Sequence, residues 1–180
     1  MKVPAPADLV TLVRFPAALG LLWAVPLSPS FLLLYGLGGF SDLLDGPIAR
    51  RTGTAGPFGA RLDSIADVLF AAAALFRLLP AILPELPVWV LPFCIAIAAV
   101  RLTAYTVGAV KFRRLTALHT AANKAAGLAL FAAPLLLPFT GLRLPAAALC
   151  ALAAVSAAEE LACVLKMKEY APDTVSFFRL

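Results

Sequence analysis

The stretch "SDLLDGPIARRTGTAGPFGARLDSIAD", Ser41 to Asp67, decides how this chain is read. It holds four of the ten acidic residues of a 180-residue protein, and three arginines lie among them. Two oily runs flank and overlap it. Asp42 and Asp45 are three apart at the end of one run, and Asp63 and Asp67 are four apart at the start of the next. Each spacing puts both carboxylates on one face of a helix. The short loop from Arg51 to Gly59 is predicted to fold the two helices back as antiparallel neighbours, so that the acidic faces meet.

Outside this stretch the chain is apolar. Of its residues 62% are hydrophobic and 14% charged, and the mean hydropathy is +0.95. A soluble domain is roughly half apolar, so this composition points to the bilayer as solvent. A window of about 20 residues, the length that crosses the hydrocarbon core, finds six runs: Leu9 to Pro26, Phe31 to Ala49, Leu62 to Leu79, Val88 to Val110, Ala117 to Leu137 and Leu144 to Leu165. Helices are expected, because barrel strands would be shorter and alternate in polarity. "PLSPS", "LLPAILPELP" and "LPFTGLRLP" mark turns between them. The fold class is therefore all-α, a polytopic membrane protein with six transmembrane helices in a single domain, 1–180.

Lys2, Arg50, Arg51, Arg61, Lys111, Arg113, Arg114, Lys166 and Lys168 fall at alternate ends of the runs. The positive-inside rule then places both termini and the acidic cluster at the cytoplasmic face. The net charge of +5 is scattered along these ends, which fits phospholipid headgroups and argues against nucleic acid. Lys2 precedes an apolar run that contains Arg14 and lacks a small-residue cleavage site, so no removable signal peptide is expected. Cys94, Cys150 and Cys163 lie inside apolar runs without metal-ligand spacing and read as small core residues.

Four clustered carboxylates repel one another unless cations neutralise them. Hard divalent ions with oxygen ligands do so, and one or two Mg2+ or Mn2+ ions are expected on Asp42, Asp45, Asp63 and Asp67. Such ions commonly take phosphate oxygens in their remaining positions. Arg50 can hold phosphate through its planar fork, and Gly46 and Gly59 remove side-chain bulk where a ligand approaches. The structural alternative pairs the acids with Arg50, Arg51 and Arg61.

The order Asp42, Asp45, Gly46, Ala49, Arg50, Gly59, Asp63, Asp67 spells D-x-x-D-G-x-x-A-R-x(8)-G-x-x-x-D-x-x-x-D. This resembles the signature of the CDP-alcohol phosphatidyltransferase family, with every position present. "PADLVTLVR" is similar to the family's first-helix opening, with Asp8 where an Asn is common. The resemblance implies an enzyme that moves the phosphatidyl group of a CDP-linked lipid, usually CDP-diacylglycerol, to an acceptor alcohol and releases CMP. It implies Asp42, Asp45 and Asp63 as metal ligands and Asp67 as general base, itself touching a metal. It places Gly46, Ala49 and Gly59 around the cytidine and pyrophosphate, and Arg50 on phosphate. It also implies a homodimer. Beside cations the Asp67 carboxylate stays ionised and able to accept a proton.

Other polar residues lie deeper in the runs. Asn123 is four residues beyond His119, the single histidine, and Lys124 follows it. If it points into the bundle, Lys124 suits an anionic acceptor. Arg101 is ten residues before Lys111, and Glu159 is seven before Lys166. At a rise of about 1.5 Å per residue their depths differ by only about 5 Å. Arg101 thus either forms a buried ion pair with Glu159 or Glu160, or binds an acceptor phosphate or carboxylate. These cations favour glycerol 3-phosphate as acceptor over serine, inositol phosphate or another alcohol. A cation-dependent transporter or channel is the alternative class, but it would place its charges near the midplane and show repeats.

Overall fold

The computed structural model describes residues 6–53, 56–113 and 120–167. Among these residues every regular element is helical: α1 (Pro6–Leu12), α2 (Arg14–Trp23), α3 (Pro29–Thr52), α4 (Pro57–Ile82), α5 (Val90–Phe112), α6 (Ala121–Thr140) and α7 (Arg143–Lys166). They gather into two compact units, Met1–Glu85 and Leu86–Leu180.

Proline and glycine set most boundaries. Pro29 and Pro57 open α3 and α4, positions where a missing N–H costs no helical bond. The Ser28 hydroxyl accepts from the Phe31 N–H at 3.3 Å, capping α3. Gly53, at φ +64°, follows the end of α3; only glycine takes that left-handed conformation without strain. Thr120 caps α6 by accepting from the Asn123 N–H.

Two expectations need correction, an unbroken first helix and a buried Cys94. The first predicted run is broken: α1 ends at Leu12 and α2 begins at Arg14. Pro16 supplies the reason, since it has no N–H for the Leu12 carbonyl, and the chain restarts with proline in a first turn. The apolar part, Leu9–Trp23, is shorter than a full span. Among the described residues four helices are long and apolar enough to cross a bilayer, Arg61–Glu85, Val90–Phe112, Ala121–Thr140 and Arg143–Lys166, and the protein is an integral membrane protein. α3 has the length, but its glycines and two aspartates lower its hydropathy. Cys150 and Cys163 are buried as expected, whereas Cys94 is exposed.

In the first unit α1 and α2 lie against both α3 and α4 and supply most of the packing between them. α3 and α4 are thus less direct neighbours than their short loop suggests. They do meet at an aromatic stack: Phe31 and Tyr35 rings lie 6.2 Å apart, and Tyr35 and Phe70 rings 5.8 Å apart. Gly38 permits this approach, because a Cβ there would stand 2.1 Å from the edge of the Phe70 ring. Gly38→Ala is expected to lower stability by about 1–3 kcal/mol through overpacking. Thermal unfolding in detergent checks this, and Phe70→Leu in the same chain should recover part of the loss.

In the second unit α7 packs against α5 and α6. Cys163, Val164 and Met167 form one buried cluster with Val107 and Phe112 beside it. Val90, Ala146 and Cys150 form another, flanked by Leu86. Lys111 Nζ donates to the carbonyls of Val164 and Leu165 at 2.9 and 2.8 Å, tying the end of α5 to the end of α7. Large apolar side chains such as Trp23, Phe76 and Phe139 remain exposed, as expected of surfaces that face lipid.

Candidate functional site

The four aspartates of the first unit converge on one arginine. Asp42 and Asp45 come from α3, Asp63 and Asp67 from α4, and Arg14 from the first turn of α2. Arg14 is only 1% exposed. Its Nη1 donates to Asp63 Oδ1 at 2.8 Å and to Asp67 Oδ1, and lies 3.5 Å from Asp42 Oδ1. Nη2 donates to Asp45 Oδ2, and Nε donates to Ser41 Oγ at 3.2 Å. Ser41 in turn donates to the Gly38 carbonyl at 2.6 Å. Thr11 donates to Asp45 Oδ2 at 3.2 Å.

The carboxylates are not equivalent. Asp45 is buried, while Asp42, Asp63 and Asp67 keep between 38% and 50% of their side-chain surface. One cation against four anions leaves a formal charge of −3. An oxygen from each of Asp42, Asp63 and Asp67 lies within 4.8 Å of the others. Three accessible hard oxygens at such separation, with surplus negative charge, fit a divalent ion of the Mg2+ or Mn2+ class. Asp45, also expected as a ligand, accepts from Arg14 and Thr11 through Oδ2.

The rest of the motif follows on the same two helices. Gly46, Ala49 and Arg50 continue along α3, and Gly59 lies in the first turn of α4. The side chain of Arg50 lies outside the described atoms. Arg51 and Arg61 are exposed, and the ion pairs to the aspartates among the described residues come from Arg14. Sequence reasoning gave Arg14 no role. The signal was present: an arginine inside an apolar run is costly enough in lipid to suggest function.

The second unit holds a separate polar network. Arg101 Nη1 donates to Glu160 Oε2 at 3.0 Å, and Nη2 donates to Asn123 Oδ1 at 2.9 Å and Ser156 Oγ at 3.1 Å. The Ser156 hydroxyl donates to the same Asn123 oxygen. Glu160 and Ser156 are buried. Lys124 is exposed near the start of α6. His119 lies outside the described residues.

Comparison with known proteins places the chain. A profile of the CDP-alcohol phosphatidyltransferase family matches residues 5–163. The chain belongs to this family. Its members are transferases, and the match covers the acidic site together with α5, α6 and most of α7. The chain is also similar to CDP-diacylglycerol–serine O-phosphatidyltransferase of Methanocaldococcus jannaschii, 58% identical over 40 residues. That stretch covers 22% of this chain and 19% of the relative. No solved structure matches.

Proposed function

We propose that this protein transfers the phosphatidyl group of CDP-diacylglycerol to a small polar alcohol and releases CMP. The observation that carries the reading is the approach of Asp42, Asp63 and Asp67 from two helices to one point. Family membership supplies the donor class. It also disfavours a transporter or channel.

In this reading Asp42 and Asp63, with Asp45 behind them, hold one or two divalent ions, Mg2+ or Mn2+, and Asp67 touches a metal as well. When bound, such ions neutralise charge on the attacking and leaving oxygens of an in-line displacement. Asp67 takes the proton of the acceptor hydroxyl. The hydroxyl oxygen forms its bond to the lipid-linked phosphorus as the bridge bond to CMP breaks. Arg50 holds donor phosphate, and Gly46, Ala49 and Gly59 leave space for the cytidine and pyrophosphate. Chelation with EDTA is expected to abolish CMP release, and added Mg2+ or Mn2+ to restore it; full activity after exhaustive chelation would overturn the metal assignment.

Lys124 is assigned to an anionic acceptor, for which glycerol 3-phosphate is the first choice. Arg101, engaged by Glu160, Asn123 and Ser156, supports that region by holding Asn123. Serine is the second reading, favoured by the activity for which the archaeal relative is named. CMP release measured across glycerol 3-phosphate, serine and inositol phosphate separates them. No release with any acceptor would defeat the whole assignment.

We also infer that α1–α2 together and the five longer helices make six crossings of one catalytic domain, with both termini and the aspartates at the cytoplasmic face. The alternation of basic residues supports this orientation. Family likeness supports a homodimer. Reporter fusions after Thr52 and Thr140 should report opposite sides of the membrane.

A further inference from the structure

Arg14 lies where the sequence placed only carboxylates and metal. Its Nη1 reaches Asp42, Asp63 and Asp67, the same three residues whose oxygens are spaced to hold an ion. Metal–oxygen distances of about 2.0–2.1 Å for Mg2+ leave no room for a guanidinium nitrogen among the same three oxygens. The two edges of the guanidinium are held differently. Nη2 and Nε face Asp45 and Ser41, both buried, and Ser41 is tied back to the Gly38 carbonyl. Nη1 faces the three more open carboxylates. A buried arginine needs a counter-charge, and Asp45 provides one that does not depend on the other three.

We propose that Arg14 is a positioning residue of this site: an internal cation that gathers Asp42, Asp63 and Asp67 on one point and is displaced from them by the incoming divalent ion, while Asp45 and Ser41 retain the other edge. This rests on the metal reading given above. The chain then carries its own stand-in for the ion, which restrains the repulsion of four acids beside an apolar phase and keeps their oxygens aligned. The arrangement also weakens metal binding, because the ion must compete with a charge already in place.

The test uses the full chain in detergent, with Mn2+ binding read by electron paramagnetic resonance and stability read by thermal unfolding. Arg14→Gln removes the competitor and is expected to bind Mn2+ about tenfold more tightly, from loss of a unit charge a few ångströms away. In EDTA the same variant should melt well below the unaltered chain, and saturating Mn2+ should recover most of the difference by linkage. An affinity that is weaker or within about twofold of the original overturns the proposal, as does a melting deficit of equal size with and without Mn2+. Should Arg14→Gln not fold, Arg14→Met removes the charge and keeps an unbranched side chain in its place. It is expected to bind Mn2+ about tenfold more tightly, and unchanged binding overturns the proposal equally. Absence of Mn2+ binding by the unaltered chain defeats the metal reading and this one together. Binding that ignores residue 14 defeats this one alone.

Discussion

Asp67→Asn is expected to lower the turnover number for CMP release from CDP-diacylglycerol by about 10²–10⁴-fold, the usual contribution of a positioned general base. The amide has the shape of the carboxylate but cannot accept the hydroxyl proton. Asp67 is suited to that task by its place one turn beyond Asp63 on α4 and by its retained accessibility, 47% of the side chain. Asp63→Asn removes a proposed ligand instead, so its deficit should shrink as Mn2+ is raised. The Asp67→Asn deficit should persist at saturating metal. Steady-state rates across a metal titration distinguish the two. Full activity in Asp67→Asn would remove the base assignment.

The second large effect is on stability. Arg101→Ala is expected to destabilise the chain by about 3–5 kcal/mol, because it leaves Glu160 as an uncompensated buried charge. Glu160 is 1% exposed and receives Arg101 Nη1 at 3.0 Å. Glu160→Gln should cost less, since an amide keeps part of the hydrogen bonding with Arg101. The two changes combined should cost less than their sum, as residues in direct contact do. Chemical denaturation in detergent measures all three. An Arg101→Lys protein that folds normally but shows a tenfold higher Michaelis constant for glycerol 3-phosphate would move Arg101 from support into the acceptor site.

Much of the architecture was legible because its punctuation is local. Pro29, Gly53 and Pro57 act on their own peptide groups, so the ends of α3 and α4 lie within a few residues of the oily runs that suggested them. Equal depth of Arg101 and the glutamates was also readable from helical rise. Which glutamate pairs with Arg101 was not, because adjacent helical residues point about 100° apart and only packing selects Glu160. The break after Leu12 was hidden by hydropathy, which counts Pro16 as one mild residue although it removes a backbone donor. Convergence on Arg14 lay furthest from view. Spacing fixes that Asp42 and Asp45 share a face, but not what stands opposite, and the wedge of α1 and α2 between α3 and α4 is a tertiary fact.

The joint between α1 and α2 bears on how the molecule floats. Hydrocarbon tolerates an interrupted backbone ladder only where protein or water covers it. At the joint Val13 is 44% exposed, while the Ala17 N–H still reaches the Val13 carbonyl at 3.2 Å, so the gap is confined to one turn and α1 and α2 can still make one crossing together. Arg14 is the next residue, and in the orientation proposed above any water that covers the joint would also reach the carboxylates that Arg14 holds. A donor's diphosphate could then meet them without leaving its leaflet.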